Sequence, residues 1–193
     1  MSQFVIKKLP PRLPKTDVDA LVEICVKAFV TPEIYDLTGG DDSLRGLHFR
    51  SLIGAANVGG GEIWGAVEVA TGKVVSLALC VPPGKRLNKT PEEREQGMNE
   101  LMARLSPKAK DWREKIMAGQ MFPFFDEALG VKKTWAISLV ATDPDYQNRG
   151  LASQVIRTML AKYKGTGDLV ALSCTFELLV CYPFSTITVT YHF

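Results

Sequence analysis

The chain has 193 residues, 46% hydrophobic, 23% charged and 9% aromatic, with a net charge of +2. That length and composition suit one compact α/β domain and exclude disordered, collagen-like and disulfide-scaffold classes. Lys and Arg are scattered rather than blocked, which leaves nucleic acid no electrostatic footprint, and no apolar run is long enough to span a membrane. The segment Met1 to Lys8 lacks the charged, apolar and small-residue regions of a secretory signal. Cys25, Cys80, Cys174 and Cys181 lack the close pairs of zinc sites, so no metal is expected. Each reads as a small core hydrophobe in a reducing, cytoplasmic compartment.

In chain order, Phe4 to Leu9 reads as a strand stopped by Pro10-Pro11. Val18, Leu21, Val22, Cys25, Val26 and Phe29 then recur at helical spacing, with Thr16 or Asp17 as the N-cap and an end near Thr31-Pro32. A polar, glycine-bearing stretch from Asp36 to Asp42 precedes a helix capped by Ser43, which runs out at Gly59-Gly60-Gly61. Glu62 to Ala70 and Lys73 to Val81 flank Thr71-Gly72 as an antiparallel hairpin whose second arm is buried. A long polar helical region covers roughly Pro91 to Leu105 and Pro107 to Met117, with Thr90 as N-cap and Trp112, Ile116, Met117 and Phe122 facing inward. Thr134 to Ala141 is an apolar strand, Asp143-Pro144 a turn, and Gly150 to Tyr163 a helix with Leu151, Val155, Met159 and Leu160 on one side. Gly165-Thr166-Gly167 closes that helix before a last buried strand, Leu169 to Cys174. The order implies a mixed α/β sheet.

The chemistry concentrates between Thr134 and Lys164. A buried strand ends in a polar turn that feeds a helix whose first residues are Asn148 to Ala152. The first amides of a helix have no internal acceptors and lie at the positive end of its dipole, so an anion fits there. Gly150 and Ala152 remove bulk, Arg149 adds charge, and Gln147, Asn148 and Ser153 add neutral donors. The glycines at 165 and 167 lie between a helix and a strand, the wrong order for a dinucleotide fold, and no Gly-Lys-Ser/Thr follows Gly59 to Gly61.

Gln147-Asn148-Arg149-Gly150-Leu151-Ala152, preceded by Val140-Ala141-Thr142-Asp143-Pro144-Asp145-Tyr146, resembles the strand-to-helix signature of the GNAT superfamily of N-acetyltransferases, Gln/Arg-x-x-Gly-x-Gly/Ala. The resemblance implies an α/β fold with a mixed, mostly antiparallel central sheet flanked by helices, and acetyl-CoA as cosubstrate. It implies that Leu139, Val140 and Ala141 present backbone groups to the pantetheine arm, while Gln147 to Ala152, with Ser153 beside them, hold the pyrophosphate. The acceptor is then a primary amine of a small molecule or peptide, shaped by Phe29 to Asp42; Tyr35 and Phe122 to Phe125 either line that region or, as the preferred reading, belong to the core.

Catalytic residues stay unassigned. Some family members carry a Glu base on or near the central strand, but Lys132 to Ala141 contains no carboxylate. Glu62, Glu68, Glu33 and Asp36 are alternatives by proximity, each read first as a solvated surface charge, and His48 reads as structural. The family's leaving-group acid is a Tyr on the helix after the next strand; here Pro183 follows Tyr182, and Thr186 to Tyr191 is β-prone. Residues 1–175 are expected to form the acyl-CoA binding domain and 176–193 a divergent apolar tail. That tail is either a divergent closing strand or, as the preferred reading, the end of a chain cut short, with the last helix and strands altered or missing. Apolar edges exposed there point to a homodimer through the tail. Two rivals stand beside the transferase: a coenzyme A binding protein without turnover, and an assembly role driven by the tail.

Overall fold

The computed structural model describes residues 3–116, 127, 134–164, 169–174 and 188–190. The sheet follows chain order: β1 (Phe4–Lys8), β2 (Glu62–Glu68), β3 (Val74–Val81), β4 (Thr134–Thr142), β5 (Leu169–Cys174) and β6 (Thr188–Thr190). The first four strands pair antiparallel, and β4, β5 and β6 pair parallel. This is the mixed, mostly antiparallel sheet expected. Part of the β-prone tail segment does form a strand, laid beside β5 with Thr188 opposite Leu172.

Helices α1 (Lys15–Ala28) and α3 (Arg45–Gly59) cover one face of the sheet, where Leu21, Cys25, Phe49 and Ile53 meet Leu77, Leu79, Leu139 and Ala141. The helix after β4, Leu151–Tyr163, covers the other face. Its Leu151, Val155, Ile156 and Met159 pack on Trp64, Ala66, Ala78 and Ile137, with Leu160 half-buried alongside. Because both faces are covered, every residue of β2 is buried, as are all but the first of β3. The first hairpin arm is therefore as buried as the second, contrary to the sequence reading.

Several helix limits differ from expectation. α1 begins at Lys15 with Pro14 as N-cap: the Pro14 carbonyl accepts from Asp17 and Val18, and neither Thr16 nor Asp17 caps it. The stretch after Phe29 is not all loop, for α2 (Pro32–Leu37) starts with Pro32 in its first turn, where a missing N–H costs nothing. Asp41, not Ser43, supplies the cap of the short 3₁₀ turn before α3, its carboxylate accepting from the Ser43 N–H at 2.9 Å. α3 ends on Gly60, whose φ of 81° suits a left-handed C-cap.

The long polar helix is three helices, α4 (Pro91–Glu95), α5 (Met98–Arg104) and α6 (Pro107–Ile116). Thr90 and Glu93 form a reciprocal capping box at the start of α4. The break falls at Gly97, whose φ of 139° no side-chain-bearing residue adopts readily. A Cβ at Gly97 would also lie 3.2 Å from the Ser51 N, so the chain turns there against α3. Leu101, Leu105 and Ala109 pack with Leu44 in an outer core. On α6 the buried residue after Ala109 is Arg113, while Trp112 is half-buried, so the expected inward Trp is displaced by a charge. Met117, Phe122 to Phe125 and Gly165 to Gly167 lie outside the described residues, as does most of the tail.

Candidate functional site

β4 supplies the first half of the site. Its register against β3 shifts where Leu79 faces Leu139 and Cys80 faces Ile137, so Ser138 is an extra residue bulged from the ladder. Pairing with β5 stops at the same point, running from Thr134 opposite Leu169 to Ile137 opposite Leu172. β5 continues to Cys174 beside β6. The parallel strands thus part after Ile137 and Leu172, leaving Ser138 to Thr142 without a neighbour on that edge among the described residues.

The three β4 residues expected at a ligand do not offer it the same groups. Ser76 Oγ donates to the Ala141 carbonyl at 3.1 Å, and the Asp143 N–H donates to the Val75 carbonyl at 2.9 Å, so both residues turn toward β3. Strand alternation turns Leu139 the same way and points the backbone N–H and carbonyl of Val140 into the opened edge. The side chains of Leu139 and Ala141 lie in the core beneath α1 and α3, and Val140 packs toward the opposite face.

The second half is the turn. Asp143 Oδ1 accepts from the Asp145 N–H at 3.1 Å and caps the 3₁₀ turn Pro144–Tyr146. Gln147 folds back, its Nε2 donating to the Thr142 carbonyl at 3.2 Å. Arg149 Nη2 donates to the Asp145 carbonyl at 3.0 Å, and its guanidinium lies 5.1 Å from the centre of the Tyr146 ring. The Tyr146 hydroxyl donates to Glu68 at 3.3 Å, which ties the turn to the end of β2.

Asn148 and Gly150 have φ of 60° and 71°. These left-handed residues delay the helix, so α7 (Leu151–Tyr163) starts at Leu151 and not at Asn148 as the sequence suggested. Its first internal bond runs from the Gln154 N–H to the Gly150 carbonyl. The amides of Asn148, Arg149, Gly150, Leu151, Ala152 and Ser153 therefore reach no acceptor among the described residues. Leu151 is buried and anchors the helix start, Ala152 and Ser153 are half-buried, and Gln147 to Gly150 are exposed. A Cβ on Gly150 would meet only the Gln154 side chain, at 3.9 Å, so the space before these amides is open. The last of these amides lie at the positive end of a 13-residue helix, an arrangement able to receive an anion.

The model of the acetyltransferase (GNAT) family matches residues 93–177, the part of the chain that holds β4, the turn and α7. That segment of the chain is similar to the GNAT acetyltransferase family. Solved structures of low identity share the fold. An agmatine N-acetyltransferase in its apo form has a TM-score of 0.57 at 13% identity, with 93% of this chain and 80% of that one covered. A mosquito arylalkylamine N-acetyltransferase-like protein gives 0.53 at 17% identity over 86% and 74%, and a polyamine N-acetyltransferase from Drosophila melanogaster 0.51 at 14% over 89% and 76%. A search of curated protein sequences found no match.

The carboxylates nominated as bases behave differently from solvated charges. Glu62 and Glu68 are buried. Glu62 accepts from Lys8 at 2.7 Å, Lys162 at 2.8 Å, the Tyr163 hydroxyl at 2.6 Å and Trp64 Nε1 at 3.1 Å. Burial alone would raise its pKa, but these bonds, led by Lys162 and Lys8, hold it down to about 2. A carboxylate so held is a poor proton acceptor; its work is to pin the C-terminal end of α7 to β1 and β2. Burial and the bond to Glu62 push Tyr163 up, and Trp135 stacks on its ring at 4.1 Å. His48 is buried as expected, and burial, with Arg113 beside it, pulls its pKa down to about 3. Cys25 and Cys80 are buried too, and burial raises both thiols, Cys80 to about 12. Tyr35, expected in the core, is 53% exposed. An open hollow of about 590 Å³ between α1 and the β2–β3 hairpin, lined by Leu9, Ile24, Val67 and Lys73, reaches toward the turn only at Asp143. No described helix is long and apolar enough to cross a membrane.

Proposed function

We propose that this chain is an N-acetyltransferase that takes the acetyl group of acetyl-CoA and passes it directly to a primary amine of a small molecule or peptide. The observation that carries the reading is the run of amides from Asn148 to Ser153 without acceptors among the described residues, beside the edge of β4 that opens at Ser138. Those amides, with Gln147 and Arg149 around them, fit a pyrophosphate. The Val140 backbone fits the amide-bearing pantetheine arm, which would pair with β4 where β5 has left it. Leu139 and Ala141 shape the floor beneath. When bound, the cosubstrate supplies an activated thioester; the chain's part is to fix its position and keep the acyl end at the sheet edge. On this reading residues 1–175 form the coenzyme-binding domain. An amine acceptor is supported by the agmatine, arylalkylamine and polyamine enzymes that share the fold.

A coenzyme-binding protein without turnover remains the second reading, favoured by one observation: Glu62 is locked in ion pairs and Glu68 is bonded to Thr71 and Tyr146. Thiol release from acetyl-CoA over a panel of primary amines separates the two. Turnover that saturates in both substrates is the expected result. Coenzyme binding with no amine acetylated selects the second reading, and failure to bind coenzyme A discards both.

A further inference from the structure

Arg113 on α6 and His48 on α3 are 7% and 5% exposed, yet among the described residues neither has the partners that burial demands. Arg113 Nη1 donates to the Leu37 carbonyl, at the C-terminal end of α2, at 3.0 Å. A guanidinium carries five N–H donors, and no carboxylate lies within ion-pair range of this one among the described residues. His48 Nδ1 is buried with no hydrogen-bond partner among the described residues. The imidazole cannot offset the arginine, because burial and the neighbouring guanidinium keep it neutral down to about pH 3. A buried cation without a counter-charge among the described residues is costly, and a bound anion would offset it.

The position of the pair ties it to the transfer site. His48 packs edge-on against Phe49, whose ring lies 5.3 Å from that of Phe29, the C-cap of α1. In the last turn of α1, Lys27 lies 3.9 Å from Asp143, where β4 hands the chain to the turn. Arg113 and His48 thus stand at the end of the molecule where β4 opens, on the α1–α3 side of the sheet, across from α7.

We propose that Arg113 and His48 form a subsite for an anionic oxygen group, a carboxylate or a phosphate, carried by the acceptor amine. The guanidinium holds it as a fork, and a neutral imidazole with its proton on Nδ1 donates one further bond. The inference rests on the acetyl-transfer reading and narrows its acceptor to amines that also bear an acid.

Two arms test it on the full chain. In the first, thermal midpoints are read in potassium phosphate, in potassium acetate and in potassium chloride of equal ionic strength. The wild-type protein should rise by several degrees in phosphate or acetate over chloride, and Arg113→Met should not. Should Arg113→Met fail to fold, Arg113→Lys, which keeps the charge and loses the fork, should show a reduced rise. Equal rises in wild type and variant overturn the proposal. In the second arm, amines of matched length that bear a carboxylate, a phosphate or no acid are compared as acceptors. The preference for one acid-bearing amine over the neutral one should fall about tenfold or more in Arg113→Lys, with coenzyme A affinity unchanged. A preference that stays the same, or a wild-type preference for the neutral amine, overturns it. If coenzyme A fails to bind, the transfer reading falls, while the midpoints still report on Arg113.

Discussion

The two ends of α7 are built on opposite principles. At its C-terminal end Lys162 and Tyr163 are closed onto the Glu62 carboxylate, with Lys8 and Trp64 completing the set. At its N-terminal end Asn148 and Gly150 adopt left-handed backbone and hold the first amides open. One end satisfies its polar groups within the chain, and the other leaves its amides without an acceptor among the described residues. A helix can present unpaired donors in a fixed direction only if something else fixes the helix, and Glu62 does that from the far side of the same element.

The largest expected effect separates the ends by charge. Ala152→Asp places a carboxylate in the first turn of α7, which suits the dipole and repels a pyrophosphate. Calorimetry should show coenzyme A affinity lower by about a hundredfold, with the thermal midpoint unchanged or raised. A lowered midpoint with intact affinity would reverse the roles assigned to the two ends.

The next effect is at the closed end. Its bonds hold Glu62 down to about 2 from an ordinary 4.5, and a depression of that size, reduced by solvent screening, corresponds to about 2 kcal/mol of stability at neutral pH. Glu62→Gln should lose roughly that amount in urea denaturation, while coenzyme A affinity stays within about twofold. The sign follows from the depressed value: the stabilisation is complete above pH 4.5 and fades as pH falls from there toward 2, so the variant's stability should be flatter across that window. His48 acts over a higher one. Its folded value is also depressed, to about 3 from 6.5, so the unfolded chain binds a proton that the folded chain refuses, and stability declines as pH falls below 6.5. His48→Gln should remove that part of the acid slope and leave the Glu62 part.

The smallest expected effect is at the open end. Asn148→Gly relieves a left-handed backbone on a side-chain-bearing residue and should raise stability by about 0.5 kcal/mol, read as a shift in the denaturation midpoint at constant slope.

These two ends also differ in how far the sequence revealed them. The open end is local: an apolar strand, a polar turn, a glycine and a helical repeat follow one another, so these elements were read from Thr134 to Lys164 with only the helix start misplaced. The left-handed Asn148 explains that error: Asn is among the residues that visit this region, but it was read as part of the helix. The closed end is not local. Lys8, Lys162 and Tyr163 lie 54, 100 and 101 residues from Glu62, and a Glu opening a hairpin arm looks solvated until the fold brings two lysines to it. The continuous apolar run of β2 was the available signal that this arm is covered on both faces. Arg113 was hidden for a similar reason, because one cation on a polar helix resembles its solvated neighbours until α2 and α3 enclose it. α2 had a readable start in Thr31-Pro32, outweighed by the glycines that follow it.

The central claim is that the amides from Asn148 to Ser153 hold the pyrophosphate. Amide proton and nitrogen shifts of the isotope-labelled chain, followed through a titration with coenzyme A, test it residue by residue. The account predicts saturable shifts that are largest at Asn148 to Ser153, with Val140 next and the amides of Lys162 and Tyr163 nearly still. Saturable binding whose largest shifts fall elsewhere, with Asn148 to Ser153 unmoved, would contradict it.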